Sequence, residues 1–197
     1  MAAPKLFELS SSIKQDIYFA ATMVFQKVLD ALEKAGKREA KHTGGFLRIR
    51  YAFSETDGLR GWHELYQHRL GDREGDYWET VEDFSQEKVF RLVEEHARNS
   101  HHVSSWQSAD DNRRRFPGAV ILNANIEELG GRVKILISFS GLPADADEAF
   151  DLLLAKEMKW NSNLAEFATV ISRPDEDDAE AHNDFAWDLV APVTFWR

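Results

Sequence analysis

Cysteine is absent from the 197 residues. That one absence removes disulfides, thiolate metal centres, cysteine nucleophiles and thioether-linked haem together. It also permits a reducing compartment. Basic residues are in deficit, with 24 Lys and Arg against 34 Asp and Glu and a net charge of −10. This argues against nucleic acid or an anionic membrane as the main partner, since both reward basic patches. Arg113-Arg114-Arg115 is the one basic triplet and reads as a solvated turn. Long apolar runs are missing as well. The uncharged stretch from Ile17 to Gln26 is too short to span a bilayer and follows no basic segment with a cleavage site. The expectation is a cytoplasmic chain with no membrane segment.

What is present suffices for a core. With 43% apolar and 12% aromatic residues, the chain is not of disordered composition, and its length suits one domain. The stretch from Phe116 to Met158 is the most legible. Val133, Ile135, Ile137 and Phe139 alternate with Lys134, Leu136, Ser138 and Ser140, and Val120, Leu122, Ala124 and Ile126 recur at the same period, with Gly130-Gly131 between the runs. A period of two on both sides of a glycine turn predicts an antiparallel hairpin with one face on a core. Pro143 stops the second strand, and Asp145 with Glu148 reads as a capping box for a helix from about Ala146.

Upstream, Ser12 and Gln15 read as a capping box. Ile13, Ile17, Ala21, Val24 and Val28 then recur at helical spacing until Gly36. Leu47, Ile49, Tyr51 and Phe53 alternate with polar or small residues, predicting a half-buried strand. Turn residues punctuate Glu55 to Asp76, which reads as a surface excursion around one short helical piece near Trp62 to Leu70. A second helix is expected from the Asp83/Gln86 capping box, with Val89, Leu92, Val93 and His96 on one stripe, ending near Asn99-Ser100. His101 to Arg115 is polar and irregular. Phe167 to Ile171 is a short apolar run compatible with a strand, and Arg173 to Asp184 is an acidic connector. Phe185, Trp187 and Leu189 alternate before Pro192, which suggests an edge strand or an arm covering a sheet edge or subunit interface. The fold expectation is α+β: one antiparallel sheet with helices packed on it over residues 10–172, and a connector and aromatic extension over 173–197.

Candidate chemistry is sparse. His96, His101 and His102 cluster near the end of the second helix, but their spacing matches no metal signature, and His63 and His68 would point apart on a helix. Ser140-Gly141 at a strand-to-helix turn lacks the flanking glycines of a nucleophile elbow. Asp145 and Asp147 crowd that turn with negative charge and disfavour an anion there. Asp147 with Glu148, and Glu127 with Glu128, read as solvated acids at a helix start and a hairpin turn.

Phe116-Pro117, an apolar strand, a glycine turn and a strand ending in Ser140-Gly141-Leu142-Pro143 with Asp147 beyond resemble the HbpS-like (GlcG-like) family of small haem-associated proteins. Phe84 followed by Lys88 is similar to that family's Trp-x-x-x-Lys helix. The departures are Phe84 for the Trp, Glu87 where an Arg usually precedes the Lys, and Glu148 for a His that often follows the Asp. The resemblance implies a profilin-like order of elements, homo-oligomers, and haem or another apolar small ligand. Two classes of function follow. One is a non-catalytic binding or assembly domain with a protein partner or small ligand. The other is a haem-handling or small-molecule enzyme, with Lys88, Ser140, Gly141 and the His96, His101, His102 region near a pocket.

Overall fold

The computed structural model describes residues 11–53, 61–72, 77–173 and 183–191. Gly44–Ala52 (β1), His63–Gly71 (β2), Ala119–Ile126 (β3) and Gly131–Ser140 (β4) pair antiparallel in one sheet of order β2-β1-β4-β3. The helices are Ser11–Lys34 (α1), Tyr77–Arg98 (α2), Ala144–Glu157 (α3), Leu164–Ile171 (α4) and Asp184–Val190 (α5). The α+β class, the single antiparallel sheet and the β3-β4 hairpin agree with the sequence reading. In the hairpin Val120 faces Ile137, Leu122 faces Ile135 and Ala124 faces Val133.

The period of two divides the sheet into two faces. Leu47, Ile49, Val120, Leu122, Ile135, Ile137 and Phe139 lie on one, buried in a core that includes residues of α1, α3, α4 and α5. There Phe139 stacks on Phe150 with centroids 4.2 Å apart, and each such fully buried side chain stabilises by about 1.5–3 kcal/mol. The other face gives Ala52, Ala119, Ile121 and Leu136 to a smaller core with Val89, Leu92 and Val93 of α2. Helices thus cover both faces. β1 is accordingly buried on both sides, Arg48 included, and not half-buried as its alternation suggests. Outer strand β3 is also covered along its free side. The backbone N–H of Ile121 donates to the Val103 carbonyl, that of Asn123 to Glu166, and that of Asn125 to the Trp160 carbonyl. Such covering removes a template for edge-to-edge pairing.

Several elements differ from the sequence expectation for identifiable reasons. The segment around Trp62 to Leu70 is strand β2 and not helix. A register shift opposite Ile49/Arg50 lets both Leu65 and Leu70 face the core, and that bulge broke the alternation. The rest of the excursion, 54–60 and 73–76, lies outside the described residues. Helix α2 starts six residues before Asp83, because its inward stripe runs on through Val81, Ser85 and Lys88, two of them polar. The Asp145/Glu148 capping box does not form, since Glu148 turns inward and Pro143 stands at the N-cap with no side-chain cap. Phe167 to Ile171 is helix α4. Asn163 accepts hydrogen bonds from the Ala165 and Glu166 amides, and Phe167, Val170 and Ile171 point inward at helical spacing. Residues 184–190 are helix α5, capped by Asn183, with Ala186 and Val190 in the main core against α3. They are not a strand or a loose arm. Pro192 and the residues after it, like most of the acidic connector, lie outside the described residues.

Candidate functional site

Lys88 is the structural oddity of the molecule. It lies on the buried stripe of α2, one turn past Ser85, and is 1% exposed. Its Nζ donates to the Phe139 carbonyl at 2.9 Å and to Asp147 Oδ2 at 2.8 Å. Asp147 Oδ1 in turn accepts from the Leu142 backbone N–H at 2.9 Å. One ion pair therefore joins the two helical layers around the end of the sheet and closes the turn between β4 and α3. Gly118 makes room for it, as a Cβ there would stand 2.8 Å from Lys88 Nζ and 2.5 Å from Asp147 Cβ. Beside it Ser138 donates to the Ser85 carbonyl at 3.2 Å, so polar groups fasten α2 to β4.

The pair forms part of one wall of a cleft of about 340 Å³. Val81, Phe84, Phe116, Leu142 and Pro143 supply apolar walls, and Ser140, Gly141 and His42 reach the same space. Phe84 and Phe116 meet edge to face at 5.1 Å. Phe116 is held by Arg91, whose Nη2 donates to its carbonyl at 2.7 Å while Nη1 donates to the Ser105 carbonyl at 2.6 Å. Ser140 is 4% exposed, and its hydroxyl takes no hydrogen bond among the described residues. Three larger hollows are open grooves, one of them, of about 460 Å³, between α1 and α3 beside Lys27, Lys156 and Glu157. In another, of about 650 Å³, Glu166 is already held by Asn123 and Asn161, and the last, of about 860 Å³, runs beside α1. None of the three contains a buried ion pair among the described residues, Lys27 and Glu157 in the first being exposed. A largely apolar recess with a few convergent polar groups is the usual form of a small-ligand site.

Behind the cleft lie two further acids. Glu148, 0% exposed, accepts from Ser104 Oγ at 2.6 Å, from Asn183 Nδ2 at 2.9 Å and from Arg173. Asp147 and Glu148 are thus not the solvated first-turn acids that their position suggests. Asp151, one turn past Asp147, is 0% exposed, and neither of its carboxylate oxygens finds a hydrogen-bond partner. Burial pushes its carboxyl well above the usual range, Asp147 adds to this, and Lys88 opposes it. Glu148 raises it further. The Phe139 amide lowers it from nearby, outside hydrogen-bonding geometry. Charge balance agrees: Lys88 and Arg173 match Asp147 and Glu148, which leaves Asp151 to stay neutral.

The raised pKa fixes a pH dependence. Asp151 binds its proton more tightly folded than unfolded, so its contribution to stability is whole below the unfolded value near 4 and is lost as pH rises toward the folded value. Asp151→Asn should therefore gain on the natural chain by about 1.4 kcal/mol per pH unit above roughly pH 4, with no difference below. Denaturation midpoints from pH 4 to 8 measure this, and a pH-independent difference would refute it.

Of the residues singled out from sequence, Lys88, Ser140 and Gly141 meet in the cleft. The histidines do not. His96 lies eight residues along α2 from Lys88, a rise of about 12 Å. Its Nδ1 is 2.8 Å from the His102 carbonyl and its Nε2 is 2.8 Å from Lys134 Nζ, so Nδ1–H donates and Nε2 accepts. His101 is exposed, and His102 lies near Glu95. Among the described residues no group of three or more His, Asp or Glu could hold a metal ion, and no helix is long and apolar enough to cross a membrane. Arg91, Asp151 and His42 escaped the sequence reading. Arg91 and Asp151 sit at helix positions where an apolar residue is the rule, and that break in the stripe is the signal. Comparison of the chain with family models, with curated proteins and with solved structures finds no match.

Proposed function

We propose that this chain is a non-catalytic binding domain of the HbpS-like type, which takes a small, largely apolar ligand in the cleft between α2 and the Ser140–Pro143 turn. The observation that supports it best is Ser140: its hydroxyl lines a largely apolar recess and has no partner among the described residues, so it is free to meet a ligand. Binding is favoured over catalysis because Lys88, the most buried base in the cleft, is held by Asp147 and a carbonyl. The cytoplasmic, homo-oligomeric setting belongs to the same reading.

A thermal-shift panel of small amphiphiles tests it. A ligand at one hundred times its Kd adds about 2.7 kcal/mol, roughly 5–10 °C for a chain of this size. Ala144→Trp, which fills the mouth of the cleft, should abolish the shift. A panel with no hit, or hits indifferent to that substitution, would remove the cleft from consideration.

Haem remains one candidate for the apolar ligand, with a changed expectation about its ligation. Because both ring nitrogens of His96 are engaged, His96→Ala, His101→Ala and His102→Ala together should change hemin affinity by less than about threefold, under 1 kcal/mol. Titration of the Soret band decides. Loss of a saturable shift in the triple variant would move the haem site to the far end of α2.

A further inference from the structure

At the base of the cleft the acceptors beside Lys88 and at the start of α3 are taken, while several donors are not. The carbonyl of Phe139 and Asp147 Oδ2 are bound by Lys88, Asp147 Oδ1 by the Leu142 amide, and the Pro143 carbonyl by the amides of Ala146 and Asp147. Three kinds of donor remain. Ser140 keeps its hydroxyl, on the face of β4 that meets α2, and it is nine-tenths buried without a partner. Lys88 has spent two of its three N–H groups. Helix α3 opens on the cleft through Pro143, which caps nothing with its side chain, and the Ala144 and Asp145 amides receive no acceptor among the described residues. The positive end of a helix dipole thus faces the same recess as two buried side-chain donors.

Resting on the reading of the cleft as a ligand site, we infer that its ligand is a small monocarboxylate with an apolar or aryl body. The carboxylate oxygens meet Ser140, Lys88 and the first amides of α3, and the body lies between Phe84, Phe116 and Leu142. An acceptor-rich end fits because Ser140, Lys88 and the first amides of α3 all have a donor to give. A carboxylate suits better than a neutral carbonyl because helix-end amides and a lysine favour negative charge. The nearby acids do not forbid it: Asp147 is neutralised by Lys88, and Glu39 is paired with Lys41 at 2.9 Å. Asp145 is different. Its carboxylate is exposed in the first turn of α3 and opposes a bound anion.

That opposition supplies the test. Hexanoate and phenylacetate, their amides and the matching amines are titrated into the full chain by calorimetry, with amide resonances of the cleft followed by NMR. The acids should bind saturably, the amides about tenfold more weakly. Ser140→Ala should weaken the acids about tenfold, and Asp145→Asn should tighten them about threefold by removing a like charge. The Asp145 variant alters an exposed side chain, so it reads the ligand's sign even where Ser140→Ala perturbs folding. Amides or amines that bind as tightly as the acids, or an Asp145→Asn that weakens the acids, would overturn the carboxylate while the cleft stands as a ligand site. A series in which no compound moves the cleft resonances would overturn both.

Discussion

Lys88→Met is expected to cost about 3–5 kcal/mol, because it removes one partner of a buried ion pair and leaves Asp147 without a counter-charge. The side chains are 2% and 4% exposed, so water cannot take over. A second buried carboxylate makes the loss worse. Glu148 lies beside Asp147 on α3, and Arg173, the buried cation near it, is already bound to Glu148. A domain stable by 5–15 kcal/mol would lose a third or more of its margin. The Phe139 carbonyl and Leu142 amide would lose order with it, since both are tied through this pair. Replacing both partners, Lys88→Met with Asp147→Leu, should recover most of the loss, as matched apolar replacement of a buried pair is often neutral. The Leu142 amide then lacks its acceptor, so recovery stays incomplete by about 1 kcal/mol. Urea denaturation of the three variants is the measurement. A single variant within 1 kcal/mol of the natural chain, or a double variant no better than the single, would show that the pair does not hold the layers together.

The parts of this fold that were legible are those where burial repeats at a regular period. β3 and β4 keep an apolar residue at every second position on the main-core face, and α1 keeps its apolar stripe through most of its length. Legibility failed where the buried position is polar or the period slips. Ser85, Lys88 and Arg91 interrupt the inward face of α2, so the stripe seemed to begin only at Val89. Asp147, Glu148 and Asp151 stand in the first two turns of α3 with the composition of a solvated face, yet all three point inward, and Asp147 and Glu148 meet partners at positions 88, 104, 173 and 183 that no local pattern brings near. The site was half visible for the same reason. Ser140 and Gly141 announce a turn by type, and Lys88 came through a resemblance, but nothing in the spacing of 88, 118 and 147 shows that they touch. α5 was misread because Phe185, Trp187 and Leu189 alternate, while the residues it buries are Ala186 and Val190, four apart.

The second large effect falls on the turn itself. Gly141 has φ +152°, where side chains are rarely accommodated, and a Cβ built on it would stand 2.5 Å from the Gly44 carbonyl oxygen and 2.6 Å from Gly45 Cα. Both obstacles are backbone at the start of β1, so no rotamer can relieve them. Gly141→Val must therefore strain the turn, at about 1–3 kcal/mol, and push β1 away from β4, at about the same again for overpacking. The total is about 2–6 kcal/mol, up to twice the 1–3 kcal/mol that glycine chemistry at a turn suggests by itself. The displacement has a direction. Phe46 pairs with Ser140, so moving the start of β1 shifts the end of β4 and with it the hydroxyl in the cleft. In cold solution, where the variant is still folded, it should bind cleft ligands more weakly than the natural chain, while Gly36→Ala, at a site with nothing within 4 Å of the new Cβ, should leave that affinity unchanged. Denaturation midpoints and one ligand titration on each variant separate the outcomes. A Gly141→Val protein with natural stability would mean that β1 and the turn do not meet backbone to backbone, and one with lowered stability but undiminished affinity would place the ligand away from Ser140.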